Sequence, residues 1–144
     1  MADTRPDIGE ATGPDVGTLS DLRIGAHQGF DRLVLEFDGP DTPRWHVRYV
    51  DSAVADGSGF VLPVDGGAIL EITCFPVSLP FDGRDPYDGP SSLRVAGTRA
   101  IVELSWWSIY EGDLQAFVGV DREHPFRAYA LHDPARIVID VRTD

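Results

Sequence analysis

The chain has 144 residues, one domain's length and enough to bury a core without staples. Twenty-four acidic residues stand against 12 basic ones, all arginine, and the net charge of −12 excludes the clustered positive charge that a nucleic-acid binder needs. A 42% hydrophobic and 10% aromatic composition excludes a disordered chain, while 15 Gly and 11 Pro announce many tight turns.

Residues 1–17 hold Asp3, Pro6, Asp7, Gly9, Glu10, Gly13, Pro14, Asp15 and Gly17 among scattered apolar residues, which predicts a flexible tail or linker. A single domain is expected over residues 18–144. The start, Met1 to Asp7, lacks the charged-then-apolar order of a signal peptide. No apolar run approaches the roughly 20 residues of a membrane span. Two placements follow: the cytosol, or an extracellular or envelope location with the export signal outside this sequence.

From Thr18 onward, period-two alternation bounded by Gly, Pro and Asp predicts strands and little or no helix. Leu22 and Ile24 alternate with Asp21 and Arg23. Leu33, Leu35 and Phe37 alternate with Arg32, Val34 and Glu36, and Trp45, Val47 and Tyr49 with His46 and Arg48. A strand over residues 69–75 follows, with Cys74 in phase with Leu70 and Ile72. Its place there predicts a buried thiol rather than a nucleophile, and one cysteine supports neither a disulfide framework nor a multi-cysteine metal site. Val102, Leu104 and Trp106 alternate with Glu103, Ser105 and Trp107, and strands over 114–120, 126–131 and 136–141 complete the set. About eight strands imply an antiparallel sandwich or barrel. The expected core is Leu33, Leu35, Phe37, Leu70, Ile72, Cys74, Val102, Leu104, Trp106, Ile137 and Ile139.

Gly29 to Asp38 echoes Gly112 to Asp121, and each is followed by a proline-containing turn and an aromatic-led strand beginning at Trp45 or Phe126. Two such units suit two similar sheets packed face to face. Between the halves, residues 76–98 form a connection far longer than the usual 2–6 residues, a sign of mobility or function.

Catalytic and metal motifs are weak. Asp82, Asp85 and Asp88 offer oxygens to Ca²⁺, but their spacing is not that of an EF-hand loop, and Asp-Gly and Asp-Pro pairs are ordinary turn chemistry. Asp56-Gly57-Ser58-Gly59 lacks the G-x-S-x-G elbow. His27, His46, His124 and His132 show no i, i+4 pair, and no glycine loop cradles phosphate. No catalytic residue, cofactor or metal site is therefore expected. The aromatics lead instead: adjacent Trp106 and Trp107 must point to opposite faces. The alternation sends Trp106 inward and leaves Trp107 either covered by a second layer or standing as a platform for a sugar or peptide.

His27-Gln28-Gly29-Phe30-Asp31-Arg32, followed by the apolar strand ending Glu36-Phe37, resembles the AMIN-like domain of exported proteins and lipoproteins. Tyr87-Asp88-Gly89-Pro90, Tyr110-Glu111-Gly112, Pro125-Phe126-Arg127 and the ending from Asp133-Pro134-Ala135-Arg136 to Val141 carry the same resemblance, with Ala135 where a second proline is commoner. Together they span about Leu19 to Arg142. The resemblance implies an all-β sandwich of two similar sheets, an envelope location, and a kinship with localisation modules that bind peptidoglycan. It carries no catalytic residues over. Phe30, Asp31 and Arg32 serve either conformation or binding.

The expected function is a non-catalytic, envelope-associated binding domain for peptidoglycan or another wall component. A scaffolding domain for an exported protein is the first alternative, and a hydrolase with an unrecognised site the second. The candidate ligand residues are Trp107, Tyr110 and Tyr87, with Arg32, Glu36 and Glu111 supplying hydrogen bonds. The net charge points away from acidic polymers and toward a neutral glycan strand or a stem-peptide amine.

Overall fold

The computed structural model describes residues 2–78 and 92–144. Among them lie eleven strands and no helix: β1 (Asp7–Gly9), β2 (Leu19–His27), β3 (Phe30–Phe37), β4 (Arg44–Val50), β5 (Ala53–Val54), β6 (Val61–Leu62), β7 (Ala68–Phe75), β8 (Ile101–Tyr110), β9 (Asp113–Val120), β10 (Phe126–Leu131) and β11 (Arg136–Arg142). The eight longest coincide with the eight read from alternation. They form two antiparallel sheets, β10-β11-β3-β2 and β1-β4-β7-β9-β8, packed as an all-β sandwich, with β5 and β6 as a separate hairpin.

The order carries a pseudo-twofold. Replacing β2, β3, β4 and β7 by β8, β9, β10 and β11, and the reverse, turns the run β4-β7-β9-β8 into β10-β11-β3-β2. Each half is a hairpin in one sheet followed by two strands in the other. The sequence echo of β3 in β9 is the trace of this relation.

The core lies between the sheets. Leu33, Leu35, Phe37, Leu70, Ile72, Cys74, Leu104, Ile137 and Ile139 are buried in it, as expected, joined by Val47, Leu114, Val118 and Phe126. Each fully buried side chain of this size contributes roughly 1.5–3 kcal/mol. Val102 and Trp106 are not core residues. Strand β8 shifts register against β9 between Ile101 and Glu103 and again between Leu104 and Trp106. Each bulge places two residues opposite one and flips the faces that follow. The inward residues are consequently Ile101, Leu104 and Trp107, three apart rather than two.

The N-terminal residues also depart from expectation. Strand β1 pairs with β4 along Asp7↔Val47, Ile8↔His46 and Gly9↔Trp45. Gly9 allows this approach, because a Cβ there would lie 2.1 Å from the Trp45 ring. Asp3 exchanges backbone hydrogen bonds with Phe126 of the other sheet, and the Asp7 carboxylate accepts the Ala128 amide at 2.9 Å. Val16 is buried against the core. The segment thus clasps β4 and β10 along one side of the sandwich. With so few apolar residues it offers no alternation to read; its hold is mostly backbone pairing.

Removing residues 2–16 takes away Val16 and these edge hydrogen bonds, about 3 kcal/mol in all. The melting temperature should fall by on the order of 10 °C in a thermal scan. An unchanged value would show that the segment packs without stabilising.

Burial pushes the Cys74 thiol from an ordinary 9.0 up to about 12, and desolvation pushes the half-buried Tyr49 phenol from 10.0 up to about 12. Both groups release protons more readily when unfolded. Their stabilisation is therefore complete below about pH 9 and is lost as the pH rises toward 12. The urea midpoint should decline over that window, and Cys74→Ala should remove the earlier part of the decline. A flat profile would contradict this.

Candidate functional site

The two outer faces of the sandwich differ. Over β7 and β9, the face is covered by residues 53–67. Gln115 is buried beneath them: its amide oxygen accepts the Asp56 amide at 2.8 Å, and its amide nitrogen donates to Val54 O and Glu71 Oε2, each at 3.0 Å. Gly119 is required there, since a Cβ would lie 1.7 Å from Asp65 O. Trp106 stacks on Phe117 on the same side, with ring centroids 5.9 Å apart. Desolvation, with Glu71 and Asp113 nearby, raises the Asp56 carboxyl above its usual pKa.

Among the described residues, no such layer covers the outer face of β10-β11-β3-β2. Its centre is Arg32, paired across 108 residues with Asp140: Nε donates to Oδ1 at 2.7 Å and Nη2 to Oδ2 at 3.0 Å. Arg32 Nη2 also donates to the Tyr129 hydroxyl, which in turn donates to Asp140 Oδ2, both at 2.9 Å. The hydrogen bond to Asp140 raises the guanidinium pKa against the opposing effect of burial, so Arg32 stays charged. Burial, then the bond to Asp140, raises the Tyr129 phenol. Such a bidentate, charge-assisted pair fixes both side chains more firmly than an exposed ion pair does.

Around this triad lie two ring contacts. His27 and Phe30 stack with centroids 4.9 Å apart and planes 7° from parallel, and the Arg32 guanidinium lies 5.1 Å from the Phe30 ring. Arg127 lies 4.5 Å above the Tyr129 ring. Gln28, Phe30, Arg127, Asp140 and Arg142 line a shallow hollow of about 320 Å³ beside them. Arginine–aromatic stacking with directed hydrogen-bond donors is suited to holding a polar ligand.

The structure divides the predicted ligand residues rather than gathering them. Arg32 and Glu36 share the open face, but Glu36 is occupied by Arg23 at 3.0 Å. Trp107 is not an outer platform: the bulges in β8 turn it inward, where it is partly buried against the core between the sheets. Tyr110 is 48% exposed at the end of β8, where Gly57 abuts its ring. Glu111 occupies the β8–β9 turn at φ 51°, followed by Gly112 at 82°, the paired positive φ of a tight hairpin. Tyr87 and the acidic stretch around it lie outside the described residues. Sequence reasoning missed Arg127, Tyr129 and Asp140 as site residues. Their outward phase was visible, but the register joining β10 and β11 to β3 was not.

The motif residues divide between support and surface. Asp31, 1% exposed, faces inward, and its Oδ2 accepts the amides of Arg99, Ala100 and Ile101 at 2.9, 2.7 and 2.9 Å. Arg136 closes the β10–β11 turn by donating to Pro134 O at 2.9 Å and His132 O at 3.1 Å. Asp31 and Arg136 therefore hold loops, whereas Arg32 is presented outward.

These features define an antiparallel sandwich with pseudo-twofold order, one face covered and the other left open by the described residues. The family model of the AMIN-like domain matches residues 17–143, and the chain belongs to that family. AMIN-like domains are associated with the cell envelope, and this one is, in general terms, a cell-wall-associated domain. Comparisons with curated proteins and with solved structures gave no match. Among the described residues, no helix is long and apolar enough to cross a membrane.

Asp31→Ala leaves three amides without their charged acceptor, two of them at buried residues. Unfolding free energy should drop by about 3 kcal/mol or more, with Asp31→Asn losing less. Urea denaturation measures both. A loss under about 1 kcal/mol for the alanine variant would remove Asp31 from its supporting role.

Proposed function

We propose that this chain is a non-catalytic binding domain that recognises peptidoglycan or another wall component through the outer face of β10-β11-β3-β2. The observation that carries the reading is the contrast between the faces: residues 53–67 cover one, and the other presents His27, Phe30, Arg32, Arg127 and Tyr129. Aromatic rings give sugar or peptide groups a low-entropy contact, and fixed guanidinium donors add direction. Membership of a wall-associated family supports the same choice.

A protein partner is the second reading. It is favoured by the β5–β6 hairpin, where Phe60 and Val61 are 72% and 70% exposed. Such apolar exposure is typical of a protein contact rather than a glycan contact.

Cosedimentation with purified insoluble cell wall separates these readings. The parent should pellet with the wall, and the double variant His27→Ala/Phe30→Ala should be retained at least about threefold less while still folding cooperatively. Phe60→Ser should sediment as the parent does. No retention of the parent, or full retention of the double variant, would overturn the proposed face. New reducing or amino ends in the wall fraction would overturn the non-catalytic assignment.

A further inference from the structure

Arg127 of β10 lies directly opposite Asp140 of β11 in register. The two ought to form a cross-strand ion pair, yet Asp140 is already taken. Both of its oxygens accept from Arg32, and the Tyr129 hydroxyl adds a further bond to Oδ2. Arg127 instead lies over the Tyr129 ring, and no carboxylate among the described residues pairs with it. Neighbouring Arg142 is engaged by Asp144 at 3.1 Å. The open face thus keeps one exposed guanidinium, held by an aromatic ring at the rim of the 320 Å³ hollow, in a chain whose net charge is −12.

We infer that Arg127 is the recognition point for a single carboxylate on the ligand, the free carboxyl end of a short peptide. The inference rests on the proposed wall-binding face and names the chemistry read there. A guanidinium pairs with a carboxylate through two parallel hydrogen bonds, and its planar fork matches that group. Tyr129 pre-positions the guanidinium, so less freedom is lost on binding. Phe30 and Gln28 line the same hollow and offer an apolar surface and an amide to the adjoining residue. Asp140 and Asp144 also line it, so a monoanion is tolerated where a phosphate dianion meets stronger repulsion. The overall negative charge had favoured a neutral glycan strand or a stem-peptide amine. Local pairing reverses that choice, because the carboxylate at the centre of the face is saturated and the guanidinium beside it is not.

Isothermal titration of the folded chain tests this with five probes: N-acetyl-alanyl-alanine with its free carboxylate in the L,L and D,D forms, the two corresponding C-terminal amides, and inorganic phosphate. At least one free acid should bind, about tenfold or more tighter than its amide and tighter than phosphate. Arg127→Ala should abolish that difference, Arg127→Lys should retain part of it, and Arg48→Ala, on the other sheet, should leave it intact. Equal binding of acid and amide, no binding of either acid, phosphate binding as tightly as the acid, or an Arg127→Ala variant that still prefers the acid would each overturn the inference. Wall cosedimentation in parallel keeps the two proposals apart. A parent that pellets while failing the peptide titration defeats the carboxylate assignment alone, and a parent that does not pellet defeats the binding face itself.

Discussion

The Asp31 carboxylate, accepting three consecutive backbone amides at residues 99–101, is the constraint on which the arrangement of the sandwich depends. It joins the start of β3 in one sheet to the start of β8 in the other, 70 positions away in the case of Ile101. A buried charge is tolerated only when its hydrogen-bonding capacity is met, and here peptide donors meet it. The alternation of a strand does the rest. With Asp31 turned inward, Arg32 must turn outward, and the β3–β11 register sets it opposite Asp140. One dipeptide therefore fixes the interior of the fold and the centre of its open face.

Pseudo-twofold order would give two equivalent outer faces, and two departures break the equivalence. The position matching Asp31 in the echo is Leu114, wholly buried, so the carboxylate lock exists in one half alone. The connection from β4 to β7 carries the β5–β6 hairpin and residues 63–67, whereas its counterpart from β10 to β11 is a short turn closed by Arg136. Gln115 occupies the position that Arg32 holds in the other half, and it binds the covering segment as well as the cross-strand carboxylate of Glu71. Two similar sheets thus differ outside, one covered by residues 53–67 and the other uncovered by the described residues.

Alternation read the eight long strands and most of the core because a half-buried strand writes its period directly into the sequence. It failed at β8, where two bulges exchange Trp106 for Trp107 and move Val102 outward; a bulge has no signature in a run of mixed apolar and polar residues. It also failed at the N-terminus, where β1 is held by pairing and by Gly9 packing under Trp45, not by a hydrophobic stripe. The open face was half legible. Arg32 stood out from its motif, but its partners Asp140 and Tyr129 lie about a hundred residues away, and only the sheet register brings them together. Glu36 was read as a free acceptor, although Arg23 on the neighbouring strand engages it.

The most direct measurement of the central claim, that the open face is the binding face, is the change in backbone amide resonances of ¹⁵N-labelled protein on adding solubilised wall fragments. The account predicts shifts confined to β2, β3, β10 and β11, strongest around Phe30, Arg127 and Asp140. Shifts centred instead on residues 53–62 and the β8–β9 turn, with the open face silent, would contradict it.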